Sequence, residues 1–203
     1  MRAVGVVLAG GAGTRFGMPK ALARADDGTP WLDLACRALR DGGCADVVAV
    51  LGARADEARA LVPAGAGVVV AAGWASGIAA SLRAGLAAAG ETEADAAVVS
   101  LVDLPGLRAD AVRRVLGASG ERDAFQEPEA ARHLLRRAVY DGRPGHPVLV
   151  GREHWRPLAA AVQGDTGAGP YLRAHDAVAV DCTDLGGGDD VDRAGSAGPA
   201  GRM

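Results

Sequence analysis

The first twenty residues leave few folds open. Ala3-Val4-Gly5-Val6-Val7-Leu8 is a short, unbroken apolar run rich in valine, the pattern of a strand buried on both faces. It passes directly into Ala9-Gly10-Gly11-Ala12-Gly13-Thr14-Arg15-Phe16-Gly17-Met18-Pro19-Lys20. Glycines 10, 11, 13 and 17 leave the backbone almost bare, so it can approach a ligand closely and turn its N–H groups toward oxyanions. Arg15 and Lys20 add two cations beside those donors. A strand, a bare turn and two cations suit a nucleoside triphosphate. Spacing excludes two widespread phosphate loops. The P-loop needs lysine directly after glycine, whereas Met18-Pro19 separate Gly17 from Lys20. A dinucleotide fingerprint begun at Gly11-Ala12-Gly13 needs glycine where Phe16 stands.

The rest of the first half alternates strands and helices. Thr29-Pro30-Trp31 reads as a helix start with Thr29 as N-cap and Pro30 in the first turn. Trp31, Leu34, Ala35, Ala38 and Leu39 carry the helical period, and Gly42-Gly43 ends it. Strands are expected at 47–51, 68–70 and 96–102, and helices at 54–62, 78–89 and 109–116. Continuous apolar strands alternating with helices predict a three-layer α/β/α fold with a mostly parallel sheet. Ligands of such sheets bind beyond the carboxyl ends of the strands, where the glycine loop sits. The second half is less regular. A strand is expected at 146–150, a helix at 153–162 and a strand at 177–180, while 121–139 has no clear period. From Asp184 the chain turns rich in Gly, Ser, Pro and Asp. Residues 1–192 are therefore expected to form one domain and 193–203 a disordered tail.

Composition narrows the function. A length of 203 residues suits one domain. The net charge of -3 leaves no dominant basic face for nucleic acid. No apolar run approaches a membrane span and no leader precedes the first strand, so a cytoplasmic protein is expected. Cys36, Cys44 and Cys182 form no CxxC pair and read as reduced, buried thiols. His133, His146, His154 and His175 are too scattered for a zinc set. Gly73-Trp74-Ala75-Ser76-Gly77 is not the nucleophile elbow of serine hydrolases.

Four further segments carry candidate chemistry. The apolar strand ending Leu101-Val102 gives way to Asp103-Leu104-Pro105. A carboxylate there is costly unless a cation offsets it, and Mg²⁺, which takes carboxylate and phosphate oxygens together, would do so. The alternative is that Asp103 caps the following helix. Gly73 to Gly77 form a turn before a helix, able to press bare backbone against a base. His146, in Arg143-Pro144-Gly145-His146-Pro147, could donate a hydrogen bond to an acceptor or titrate near neutral pH, or simply stand in a turn before a strand. Asp189-Asp190-Val191-Asp192, read from its residues alone, is a solvated acidic turn.

Together these segments resemble the MobA/MocA-like nucleotidyltransferases. The first loop matches their Leu-Ala-Gly-Gly-x-Gly-x-Arg-x-Gly-x-x-Lys signature, and Asp103-Leu104-Pro105 their Asp-x-Pro. Gly77-Ile78-Ala79-Ala80-Ser81-Leu82-Arg83-Ala84-Gly85-Leu86 resembles the family's nucleobase and ribose segment. Gly145-His146-Pro147 resembles the molybdopterin cytidylyltransferase branch. Two departures stand out: Gly169 replaces an arginine that follows Gly164-Asp165, and Arg193-Ala194-Gly195 replaces the end of the last acidic motif. The resemblance implies a Rossmann-like nucleotide-diphospho-sugar transferase fold. It implies transfer of CMP from CTP, or of another nucleotidyl group, to a molybdopterin-type acceptor with Mg²⁺ and release of pyrophosphate. Leu8, Ala9, Gly10, Gly11, Gly13, Lys20, Gly77 and Ser81 would bind nucleotide, and Arg15, Lys20 and Asp103 would be catalytic. His146 would meet the acceptor, and Asp103 and Asp192 the metal. Other readings stay open: another phosphorylated acceptor, a non-catalytic insertion chaperone for a molybdenum hydroxylase, or an oxidoreductase, against which the missing dinucleotide fingerprint counts.

Overall fold

The computed structural model describes residues 1–117 and 128–191. Asp192 and the 193–203 segment lie outside the described residues, as do residues 121–127 of the unassigned stretch. In chain order the elements are β1 (Ala3–Ala9), α1 (Trp31–Asp41), β2 (Asp46–Leu51), α2 (Ala55–Arg59), β3 (Gly67–Val70), α3 (Ile78–Gly90), β4 (Ala96–Leu101) and α4 (Ala109–Leu116). They continue with α5 (Pro128–Ala131), β5 (Leu135–Tyr140), β6 (Arg143–Gly151), α6 (Trp155–Ala161), α7 (Gly169–Ala174) and β7 (Val178–Asp181).

The strands form one sheet in the order β3-β2-β1-β4-β6-β5-β7. β1 pairs in parallel with β2 and β4, β2 with β3, and β5 with β7. β6 alone runs against its neighbours β4 and β5. Every residue of β1 is buried, because helices cover both faces of the sheet. One apolar layer joins α1 and α4 to the sheet through Leu32, Leu39, Val112 and Val115. The other joins α3, α6 and α7 through Leu82, Leu86, Leu158 and Leu172. Burying each such side chain contributes about 1.5–3 kcal/mol. The three-layer, mostly parallel fold expected above is the one observed.

Several local expectations are corrected. Thr29 is not the cap of α1. The cap position is Pro30, which makes no side-chain cap bond, and the Trp31 N–H is satisfied by the Ala23 carbonyl instead (3.0 Å). The helix expected over 54–62 ends at Arg59, since the bonds from Leu61 to Ala58 and from Val62 to Arg59 tighten the chain ahead of Pro63. A helix appears at Gly169–Ala174 where none was assigned, with Pro170 in its first turn.

The antiparallel setting of β6 matters for the site. Val99 of β4 stands opposite Val148. The beginning of β6, which carries His146, therefore lies at the carboxyl end of β4. A parallel strand would have left His146 at the opposite edge.

Candidate active site

The glycine loop folds back on itself at Gly13. That residue has φ +63°, and its carbonyl accepts the N–H groups of Phe16 (3.0 Å) and Gly17 (2.9 Å). A Cβ at Gly13 would lie 1.9 Å from the Met18 carbonyl oxygen, so only glycine fits. A Cβ at Gly10 would lie 2.4 Å from Ser81 Oγ. The loop thus rests directly on the first turns of α3, and the two nucleotide-binding segments expected from the sequence touch each other.

Together they wall a cavity of about 330 Å³. Leu8, Ala9, Gly10, Gly11, Gly13, Arg15, Lys20, Gly77, Ser81 and Asp103 all line it. Thr14, Phe16, Trp74, Ile78 and Asp165 line it too, without having been assigned a role from the sequence. Trp74 supplies an indole from a turn where neighbouring residues are small, the one local signal that could have singled it out. Asp165 arrives because Gly77, at φ +112°, packs against the 164–165 turn, whose Gly164 carbonyl accepts the Ala79 N–H (3.0 Å). Arg83, part of the same motif, is an exposed side chain that donates to the Val162 carbonyl (2.8 Å). It holds this turn against α3 and is not among the lining residues.

At the inner wall Lys20 Nζ lies 2.9 Å from Asp103 Oδ2, with both side chains less than one-fifth exposed. The sequence reading gave these residues separate tasks and left Mg²⁺ to offset the carboxylate. In the structure lysine offsets it. The other oxygen, Asp103 Oδ1, is buried with no hydrogen-bond partner among the described residues. A buried carboxylate oxygen without a donor is costly, and a divalent cation facing substrate phosphates is the group that would use it. No trio of His, Cys, Asp or Glu gathers as a metal site among the described residues. Among the described residues, an ion here would rest on Asp103, with the substrate's own oxygens beside it. The Asp103 carbonyl accepts the N–H of Val191 (3.0 Å), so the segment from Gly186 to Val191 straps the strand end. Asp192, the other expected metal ligand, lies outside the described residues.

His146 lies away from the larger cavity. It lines a smaller one of about 60 Å³ that shares Leu8, Ile78 and Leu101 with it. Its Nδ1 faces the Val99 carbonyl (3.3 Å). A carbonyl only accepts, so the proton sits on Nδ1 and the Nε2 lone pair stays available. Desolvation holds the imidazole below its ordinary pKa, with the Arg137 charge acting the same way. That direction favours the neutral imidazole, and so weighs against the titration near neutral pH that the sequence left open. The three cysteines are buried, and burial pushes the Cys36 and Cys44 thiols up to about 12, which removes them as nucleophiles. No helix among the described residues is long and apolar enough to cross a membrane.

A glycine loop between a buried parallel strand and a helix, facing a lysine–aspartate pair, defines a Rossmann-like fold of the nucleotidyltransferase type. Residues 5–178 match the MobA-like NTP transferase domain, and the chain belongs to that family. It is 37% identical over 198 residues to nicotine blue oxidoreductase of Paenarthrobacter nicotinovorans, covering 93% of this chain and 91% of that protein. Among solved structures it is similar to Rv0371c from Mycobacterium tuberculosis, with a TM-score of 0.73 and 29% identity over 95% of this chain and 94% of that one. A manganese complex of Rv0371c matches with a TM-score of 0.68 and 25% identity, over 89% and 87% of the two chains.

Proposed function

We propose that the protein transfers a nucleotidyl group, CMP from CTP, to a phosphorylated acceptor of the molybdopterin class. An acceptor phosphate oxygen forms the bond to the α-phosphorus, the bond from that phosphorus to the bridging oxygen breaks, and pyrophosphate leaves. The observation that carries this reading is the Lys20–Asp103 pair beside the glycine loop, with Asp103 Oδ1 left without a donor. The bare backbone of Gly10, Gly11 and Gly13 would hold the triphosphate together with Arg15 and Lys20. Asp103 would hold a divalent ion, Mg²⁺ or Mn²⁺, which supplies charge neutralisation for the phosphates when bound. Trp74 and Gly77 would face the base, and His146 would meet the acceptor from the smaller cavity. No protein nucleophile is required, because positioning and charge neutralisation supply the rate. The preference for cytosine rests on the Gly145-His146-Pro147 resemblance.

A thermal-shift screen of CTP, GTP, ATP and UTP with Mg²⁺ or Mn²⁺ tests this, since a ligand bound only to the folded state raises the melting temperature. CTP with metal is expected to give the largest rise. A larger rise with GTP would reassign the base, and no rise with any nucleotide would overturn the reading. The kinship with nicotine blue oxidoreductase favours a second reading, reduction of a heteroaromatic substrate by a nicotinamide cofactor. Loss of reduced-nicotinamide absorbance with such a substrate, without nucleotide-induced stabilisation, would select it.

A further inference from the structure

Beyond His146 the structure gathers two arginines. Built onto the backbone of Gly169, a Cβ would lie 3.5 Å from Arg173 Nη1 and 3.8 Å from Arg137 Nη1. The two guanidinium groups, one from β5 and one from α7, thus converge on a single point that glycine leaves open. Arg137 is fixed by its Nε–H, which donates to the Gly145 carbonyl (3.1 Å) next to His146. Arg173 is exposed. Neither makes an ion pair with a carboxylate among the described residues, although most arginines of this chain for which contacts are given do. Two like charges held together, one of them half-buried, repel each other and lose hydration. Both effects lower the pKa of Arg137, desolvation most and the Arg173 charge next. Such an arrangement is stabilised by an anion that takes both forks.

The place of the pair narrows the anion. Gly167 and Ala168, just before Gly169, line the smaller cavity with His146. Arg137 and Asp103 are both close enough to act electrostatically on the His146 ring. The arginines therefore stand beside the smaller cavity and His146, whereas Lys20 and Asp103 line the larger one.

We infer that Arg137 and Arg173 form the binding site for the phosphate monoester of the acceptor, separate from the triphosphate site at the glycine loop. The inference rests on the transfer reaction proposed above, but it is tested without turnover. The probe is inorganic phosphate, titrated calorimetrically into the full-length chain and into Arg173→Gln, Arg137→Gln and Lys20→Ala. Arg173 is the primary position, because its exposed side chain can be changed without disturbing the fold. Arg173→Gln is expected to weaken phosphate binding tenfold or more, and Arg137→Gln at least as much. Lys20→Ala should change it less than twofold. Binding of CTP with Mn²⁺ to Arg173→Gln should match that of the unaltered chain. Phosphate that binds both arginine variants normally, that is lost only in Lys20→Ala, or that does not bind the unaltered chain at millimolar concentration would overturn the site. If phosphate behaves as expected while no nucleotide binds, the arginine site stands and the nucleotidyl reading falls.

Discussion

β1 and β4 run in the same direction, and what they bring to the cavity stands just past their ends: the glycine loop after Ala9 and Asp103 after Leu101. β6 runs the other way and brings His146 from near its beginning. The two regions also work by different chemistry. On the parallel side the ligand would meet bare backbone, folded back at Gly13 where no side chain fits, and one ion pair. On the antiparallel side it would meet side chains: a desolvated imidazole and two guanidinium groups that make no ion pair with a carboxylate among the described residues. The parallel side suits a ligand common to a whole family, because a polyphosphate is recognised by N–H groups that every sequence possesses. The antiparallel side suits what distinguishes one member from another, since its donors change with each substitution.

The comparison breaks most sharply at Asp103. Asp103→Asn keeps the shape but removes the charge facing Lys20. Nucleotide-dependent pyrophosphate release is expected to fall about a hundredfold or more, on the order of 3 kcal/mol of transition-state stabilisation. The ligand-free protein should also melt lower, by about 1–2 kcal/mol of stability, because a largely buried lysine loses its carboxylate. A normal release rate from a folded variant would take Asp103 out of the site. Next in size is the packing beneath the parallel side. A Cβ at Gly85 would lie 2.6 Å from Val6 Cγ1 and 3.1 Å from Val50 Cγ2. Gly85→Ala should therefore cost about 1–3 kcal/mol despite its higher helix propensity. Thermal unfolding that shows stabilisation instead would mean that Val6 and Val50 give way to the added methyl group.

The antiparallel side gives a smaller, pH-dependent effect. The folded pKa of His146 lies below its unfolded value near 6.5. Between the two, the unfolded chain binds the extra proton, so this contribution is complete above the unfolded pKa and is lost as pH falls below it. The loss is at most about 1.4 kcal/mol per pH unit for one proton. Melting temperatures from pH 7.5 to 5 should fall less steeply in His146→Gln than in the unaltered chain, and equal slopes would contradict the desolvation described. Smallest is Arg83→Gln, which removes one bond to the Val162 carbonyl. About 1 kcal/mol of stability should go, with nucleotide affinity nearly unchanged by titration. A large affinity loss would mean that the 162–165 turn shapes the nucleotide site more than the parallel strands do.

The same division explains what could be read in advance. The strands of the first half were legible because continuous valine- and alanine-rich runs have no other stable place than a covered sheet, and the glycine loop because its spacing is nearly self-defining. Thr29 misled because its capping hydroxyl competes with the Ala23 carbonyl, a partner that local pattern does not reveal. The Lys20–Asp103 pair spans 83 residues, and nothing in either segment encodes the other. The direction of β6 was equally hidden, since an apolar run carries no arrow. Arg137 and Arg173 look like ordinary surface cations until the fold sets them around Gly169.

One bond described above also sets an order of events. The carbonyl of Asp103 is held by the N–H of Val191. During translation the glycine loop and β4 emerge well before that partner exists. At about 5–20 residues per second the delay is several seconds. The sheet core can form in that interval, but the strap that fixes Asp103 cannot. The ligand site is therefore completed only after the framework that carries it.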